Sequence, residues 1–167
     1  MELIDKSFLK APKNYIIQSL LAMFVLGVIL YFVNIITHAA IVAGLGASVF
    51  IAFAMPRSIT ARPRRLIGGH LVGIICGLIS YYLFFIGPFA GATAEIEAVR
   101  WFAYAFSVGL AMFLMSVTLT EHPPGASTAL GIAITGFEIH TISFILICAV
   151  GLSIVKRLLR PFLIDLF

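Results

Sequence analysis

Charged residues are scarce in this sequence. Asp, Glu, Lys and Arg make up 11% of its 167 residues, whereas hydrophobic residues make up 62%. Soluble domains contain about 25% charged and about 45–50% apolar residues. The composition therefore excludes an ordinary soluble domain and predicts an integral membrane protein. The net charge of +4 comes from basic residues gathered between apolar runs, which indicates membrane topology and not a nucleic-acid partner.

Cysteine is rare as well. Cys76 and Cys148 both lie within apolar runs and form no CxxC motif. We expect two buried, reduced thiols that pack like small hydrophobic residues. This pattern excludes a CxxC redox or metal motif and indicates nothing about the compartment.

Motifs of the common enzyme classes are missing. The sequence has no phosphate-binding loop, nucleophile elbow or dinucleotide fingerprint. A helical metal site needs ligands three or four residues apart, so that they share a helix face. Glu121 and His122 are adjacent, and Glu138 and His140 are two apart. We therefore predict that the protein is not an enzyme and that it has no metal or cofactor.

No cleavable signal peptide is visible at the start of the chain. The first 15 residues are mixed and amphipathic, and the following apolar run is longer than the 7–15 residues or so of a signal sequence. We expect one transmembrane domain over residues 1–167. Residues 1–15 would form an amphipathic cytoplasmic segment and residues 156–167 an interfacial one.

Six apolar segments follow one another along the chain. A hydrocarbon core about 30 Å thick requires about 20 residues of helix, and four segments approach or exceed this length: Ile16–Thr37, Leu66–Gly87, Val99–Leu119 and Ile139–Val155. Two are shorter and contain glycine: Ala39–Met55 and Ser127–Gly136. The pattern predicts an all-α polytopic membrane bundle of about six segments, two of them short or broken.

Three basic clusters constrain the topology of these segments. They are Lys6, Lys10 and Lys13, then Arg57, Arg62, Arg64 and Arg65, and finally Lys156, Arg157 and Arg160. Basic loops favour the cytoplasmic side, and all three clusters reach that side only if both short segments cross. We therefore expect cytoplasmic termini and a bacterial inner membrane location. The alternative has four spanning helices and two re-entrant segments, and it places the arginine loop outside.

The two halves of the chain resemble each other weakly. Gly46-Ala47-Ser48 and Gly125-Ala126-Ser127 share a tripeptide, and each follows a histidine, His38 or His122, after a threonine-bearing helix end. Three segments in each half would give the halves opposite orientations. This indicates a possible inverted repeat of three plus three segments.

Three glycines, Gly69, Gly73 and Gly77, are spaced four apart in the third segment. Small residues at this spacing let another helix backbone approach closely. Because a chain of this size offers few helices to cover that face, we predict a homo-oligomer, most simply a homodimer. His70 lies close to the same face, where it is either a functional group or a neutral imidazole bonded to a backbone carbonyl.

The segment "EHPPGAS" predicts a helix stop followed by a helix start. Pro123 and Pro124 end the fourth segment near Glu121, and the small residues up to Thr128 would begin the next helix. A helix start with unpaired amides binds anions, with Ser127 or Thr128 as cap or hydroxyl donor. Gly46 would begin a second such helix. The alternative is a rigid turn and a close-packing stretch without a ligand.

Three ordered blocks, "LGASVFIAFAMPRS", "RPRRLIGGHLVG" and "EHPPGASTAL", resemble the HPP family of integral membrane proteins, named for the tripeptide that begins at His122. Cyanobacterial and plastid members are described as nitrite transporters. The resemblance implies transport of a small inorganic anion such as nitrite. Glu121 would repel an anion unless it pairs with an arginine of residues 57–65.

Combining the motifs with this resemblance, we predict a substrate site built from two small-residue stretches and two histidines. Its residues are Gly46, Ala47, Ser48, His70, His122, Pro123, Pro124, Gly125, Ala126, Ser127 and Thr128. The expected partners are the lipid bilayer, the anion and a second copy of the chain. The competing function is a membrane scaffold or assembly protein that uses the same motifs for packing only.

Overall fold

The computed structural model describes residues 10–31 and 39–166, and within these ranges every regular element is helical. The seven helices longer than one turn in this part of the chain are α1 (Pro12–Tyr31), α2 (Ala39–Ala54), α3 (Pro63–Tyr81), α4 (Ala90–Glu95), α5 (Glu97–Thr118), α6 (Pro123–Thr135) and α7 (Ile139–Leu159). Single turns of 3₁₀ helix occupy Ile59–Ala61 and Arg160–Phe162, and a π-helical turn, Tyr82–Ile86, extends α3.

The lengths of the helices confirm the predicted class. Four helices are long and apolar enough to cross a membrane, namely α1, α3 with its π-helical turn, α5, and α7 with its 3₁₀ turn. The 16 residues of α2 and the 13 residues of α6 give helices of about 24 and 20 Å. Both are shorter than a hydrocarbon core of about 30 Å. The protein is therefore a polytopic helical membrane protein with two short helices.

Four helices begin earlier than their apolar runs predicted, and three of the four begin at a proline. These residues are Pro12, Pro63 and Pro123. Proline is favoured at the first helical position because its fixed φ suits the helix and its missing N–H would have no partner there. The end of the first predicted segment and His38 lie outside the described residues. The stretch between the third and fourth predicted segments contains the short helix α4.

One end of the bundle, which we call the basic face, brings together the loop of residues 55–62 and the end of α7. The ammonium group of Lys156 donates to the carbonyl of Ala61. The backbone N–H of Arg57 donates to Asp165 Oδ1 over 2.9 Å. The side chain of Arg64 donates to the carbonyl of Thr118 over 3.1 Å. The second and third basic clusters therefore share one face, as predicted.

The start of α1 reaches the same face. Gln18 Nε2 donates to the carbonyl of Ile164 over 2.8 Å and also to the carbonyl of Phe53. Apart from the short α4, the helices therefore alternate in direction, and α1, α2 and α3 run opposite to α5, α6 and α7, respectively, as the three-plus-three hypothesis predicted. The cytoplasmic assignment of this face stays a prediction.

The glycine ladder of α3 packs against α6 of the same chain. A Cβ atom on Gly73 would overlap the carbonyl of Gly125, and one on Gly77 would lie 2.6 Å from the carbonyl oxygen of Ala129. A Cβ atom on Gly69 would similarly meet His122. The ladder is therefore occupied inside the chain, so it gives no support to the predicted homodimer.

The predicted helix start at Gly46 is wrong. Helix α2 is continuous from Ala39 to Ala54, and Gly46 is its eighth residue. No proline or capping residue interrupts this run, and Ser48 Oγ donates within the helix to the carbonyl of Gly44 over 3.0 Å. Gly125 is the third residue of α6. The shared tripeptides therefore occupy different positions in the two short helices.

Candidate functional site

Four polar side chains are buried together below the basic face. Ser48 of α2, His70 of α3 and His122 before α6 have no exposed surface, and Thr128 of α6 is 1% exposed. His70 is seven residues beyond the start of α3, which places it about 10 Å along the helix from that end. Buried polar groups at this depth must satisfy one another, because lipid and packed helices offer no water.

Ser48 lies between the two histidines. Its Oγ atom is 2.9 Å from the Nε2 atom of His70 and 2.9 Å from the Nε2 atom of His122. The imidazole centroids are 5.2 Å apart, with the rings inclined by 60°. The outer nitrogens also have partners. His70 Nδ1 lies 2.8 Å from Thr128 Oγ1, and His122 Nδ1 lies 3.0 Å from the carbonyl oxygen of Thr60.

The carbonyl at one end assigns a direction to these bonds. A carbonyl oxygen only accepts, so His122 Nδ1 carries the hydrogen that is donated to Thr60. A neutral His122 then accepts at Nε2 from the Ser48 hydroxyl. Ser48 in turn accepts from His70 Nε2, and Thr128 donates to His70 Nδ1. We call this run, from Thr128 through His70, Ser48 and His122 to Thr60, the polar chain.

A second acceptor competes for the Ser48 hydrogen. The carbonyl of Gly44, one helical turn earlier, lies 3.0 Å from Ser48 Oγ. A hydroxyl has one hydrogen, so it bonds either to Gly44 or to His122 at a given moment. The polar chain is therefore continuous only when the Ser48 hydrogen is directed at His122.

Burial keeps His122 neutral at physiological pH. It lies outside the four spanning helices, and removal from water lowers its pKa to about 4, although the hydrogen bond to the Thr60 carbonyl opposes this shift. A neutral imidazole with both nitrogens bonded is consistent with the low polarity of the surroundings. The site can therefore hold a proton only at a cost, unless an anion accompanies that proton.

Glu121, the residue before His122, is paired. Its Oε2 atom lies 2.6 Å from Arg65 Nη1, and the two side chains are 36% and 16% exposed, respectively. The expectation that this carboxylate needs an arginine of the 57–65 loop is confirmed. The pair leaves little net charge above the polar chain.

The start of α6 differs from the predicted array of unpaired amides. Its first two residues, Pro123 and Pro124, have no N–H, and the N–H of Gly125 donates to the carbonyl of His122 over 2.8 Å. His122 occupies the N-cap position and makes no side-chain cap bond. The predicted free amides and the predicted caps at Ser127 or Thr128 are therefore wrong, because proline removes the donors and Gly125 packs against Gly69.

The structure gathers some predicted site residues and separates others. Ser48, His70, His122 and Thr128 join in the polar chain. Gly46 has no atom within 4 Å of its Cβ position, and Ala47 and Pro123 are exposed. Pro124 and Gly125 are buried in helix packing, whereas Ala126 and Ser127 are half-buried. Their binding role stays a prediction.

Sequence reasoning missed Thr60, which ends the polar chain, and Gly44, which competes for Ser48. Both act through backbone carbonyls, and a carbonyl has no signature in the sequence. A Cβ atom on Gly44 would lie 2.9 Å from the carbonyl oxygen of Pro124. For Gly44, the signal in the sequence was the glycine itself, which stands where a side chain has no room. Such a glycine indicates close helix packing and not a hydrogen bond.

Comparisons with known proteins agree with this architecture. The family model described as HPP, transmembrane region, matches residues 9–164. A protein of Dictyostelium discoideum named only as a transmembrane protein is 34% identical over 98 residues, which are 59% of this chain and 31% of the relative. A second one from that organism is 31% identical over 115 residues, 68% of this chain and 34% of the relative. The chain thus spans about a third of these relatives' length. No solved structure matches it significantly.

Proposed function

We propose that this chain, which belongs to the HPP family of membrane proteins, transports a small inorganic anion, with nitrite as its substrate, and moves a proton with it. The observation that carries the proposal is the polar chain, in which two fully buried histidines are joined through Ser48. Ionisable residues at membrane depth are expensive and mark ion or proton pathways.

The order of donors lets a proton move along the polar chain. A proton that arrives at Nδ1 of His70 releases the hydrogen on Nε2 to Ser48. The Ser48 hydroxyl then passes its own hydrogen to Nε2 of His122, which becomes the imidazolium. The positive charge thus moves from α3 to the edge of the basic face while each heavy atom keeps its place.

An anion and a proton reduce each other's cost in this environment. An isolated anion in a medium of low dielectric constant is strongly unfavourable. An imidazolium provides a charge-assisted hydrogen bond. We propose that the anion binds beside the polar chain only when one of its two histidines carries an additional proton.

The proposal includes a homodimer that requires no metal or cofactor and performs no enzymatic reaction. Its membrane is the bacterial inner membrane, with the basic face cytoplasmic. The molecular mass of the purified protein in detergent, measured by light scattering, tests the dimer. A mass of one chain would overturn that part.

Flux into proteoliposomes tests transport. Nitrite uptake should exceed that of empty liposomes, increase with an inward proton gradient, and acidify the lumen in proportion to the nitrite moved. Ser48→Ala should reduce the coupled flux at least about tenfold, because without the Ser48 hydroxyl a proton cannot pass from His70 to His122. The control is Ser116→Ala, at an exposed serine of α5 whose hydroxyl donates to the carbonyl of Met112.

Two results would count against the proposal. Wild-type protein that gives no nitrite or nitrate flux above empty liposomes, with or without the gradient, would favour the scaffold function. Wild-type flux without accompanying proton movement, or full flux in Ser48→Ala, would remove the polar chain from the mechanism.

A further inference from the structure

A cavity of about 610 Å³ opens at the basic face, beside the end of α7 and the start of α3. Its cationic and hydroxyl-bearing lining residues are Arg57, Arg62, Ser153, Lys156, Arg157 and Arg160. Two prolines complete the described lining, and no acidic residue belongs to it. We call it the basic cavity.

Among the described residues, one acid, Asp165, lies beside the basic cavity: it interacts electrostatically with Lys156, and its Oδ1 atom accepts from the Arg57 backbone. One carboxylate does not balance the five cations that line the cavity. Lys156 is 9% exposed, and its ammonium group donates to the carbonyl of Ala61. An ammonium group has three hydrogens, so two remain for a ligand. Five cations around one space repel each other unless an anion binds among them.

The size of the basic cavity favours an anion larger than nitrite. Its volume equals that of about twenty water molecules at about 30 Å³ each. Guanidinium groups match the oxygen geometry of phosphate and bind it in a bidentate manner. A phosphate with its attached glycerol and headgroup fills much more of this space than a triatomic ion does.

An apolar surface adjoins the basic cavity. Ile154, Leu158 and Phe162, which are four residues apart along α7 and its 3₁₀ turn, are 54%, 71% and 76% exposed. Ile154 lies three residues before the lining residue Arg157 and four residues before Leu158, so it neighbours both on the surface of α7. Basic pockets between helices at the membrane surface bind anionic headgroups. We propose that the basic cavity binds the phosphate of an anionic phospholipid whose acyl chains lie along Ile154 and Leu158.

The lipid site adjoins the end of the polar chain. Lys156, which lines the cavity, bonds the carbonyl of Ala61, and the preceding carbonyl, that of Thr60, accepts from His122. A phosphate bound to Lys156 is therefore connected, through the hydrogen bond from Lys156 to Ala61, to the 3₁₀ turn whose Thr60 carbonyl ends the polar chain. Binding itself is independent of whether the protein transports anything.

Native mass spectrometry from mixed vesicles tests the site. Protein taken from vesicles of equal phosphatidylglycerol and phosphatidylcholine should retain phosphatidylglycerol in about tenfold excess. The double variant Arg157→Gln, Arg160→Gln should lose most of that preference, because each arginine contributes a factor of about five to the affinity for an anionic lipid. Both arginines are exposed, so this variant should remain folded, which gel filtration checks.

The control variant, Arg64→Gln with Arg100→Gln, removes the same charge outside the cavity and should keep the wild-type preference. Arg64 bonds the end of α5, and Arg100 bonds the carbonyl of Thr93 near its start. Equal retention of the two lipids by wild type, or an unchanged preference in the cavity variant, would overturn the proposal. Inorganic phosphate that displaces the lipid at millimolar concentration would assign the site to free phosphate instead.

Discussion

A carbon atom at the Cβ position of Gly73 would overlap the backbone carbonyl of Gly125, so helices α3 and α6 touch backbone to backbone at this point. The contact lies on the helix faces that carry His70 and Thr128. Close approach of these two helices is therefore what brings the histidine within 2.8 Å of the threonine hydroxyl. The glycine ladder and the polar chain are parts of one arrangement.

Gly73→Ala should destabilise the protein strongly. The new methyl group meets backbone, which cannot rotate away, so α3 and α6 must separate, at a cost of about 1–3 kcal/mol. The melting temperature in detergent should fall by about 5 °C or more. The matched control is Gly109→Ala on α5, where the Cβ position has no atom within 4 Å and alanine favours the helix. Equal stability of the two variants would contradict the packing described.

Ser48→Ala should lower stability as well as flux. Removal of the Ser48 hydroxyl leaves Nε2 of His70 and Nε2 of His122 without their shared partner, and a buried unsatisfied polar group costs about 1–3 kcal/mol. Ser116→Ala also removes a serine bonded to the carbonyl four residues earlier, but this serine is exposed, and we expect a change within about 0.5 kcal/mol. Chemical or thermal unfolding in detergent measures both, and a smaller loss for Ser48→Ala would show that the histidines have other partners.

Much of the fold was predictable because lipid imposes simple rules. Long apolar runs must form helices in a membrane, and basic loops such as that around Arg64 mark one face. The same rules gave a wrong helix start at Gly46, since a glycine remains helical where no water competes for the backbone hydrogen bonds. Helix α5 ends at Thr118, close to the predicted stop at Glu121, and the two prolines of "EHPPGAS" begin α6, where they remove the amides that an anion would bind.

The site was predictable in its residue types and not in its connections. His70 and His122 stood out because histidine is unusual in apolar sequence, and Thr128 was included as a possible donor. That Ser48 joins the two imidazoles follows from the close contact of α2, α3 and α6, which depends on glycines far apart in sequence. A backbone partner such as Thr60 follows only from the folded chain.

Stability should fall as the solution is acidified through the range set by His122. Its pKa is lowered from 6.5 to about 4 in the folded protein, so between these values the unfolded chain binds the proton more readily. The contribution is fully present above about pH 6.5 and is lost as the pH falls towards 4, on the order of 3 kcal/mol in total. Melting curves at pH 7.5 and pH 5 measure this, and the difference should shrink in His122→Gln, in which the other titrating groups are retained. An identical pH dependence in that variant would assign the effect to other groups.

Leu119→Gly should stabilise the protein, which is unusual for a leucine. Leu119 ends α5 in the left-handed region, with φ 56° and ψ 44°, and its side chain is 53% exposed. A non-glycine residue loses about 1–2 kcal/mol in this conformation, whereas glycine is the favoured residue after a helix end. We expect a gain of about 1 kcal/mol in the free energy of unfolding. Leu71→Gly, at a 46% exposed leucine inside α3, should instead lose about 1 kcal/mol, so a loss of stability in both variants would contradict the left-handed geometry at residue 119.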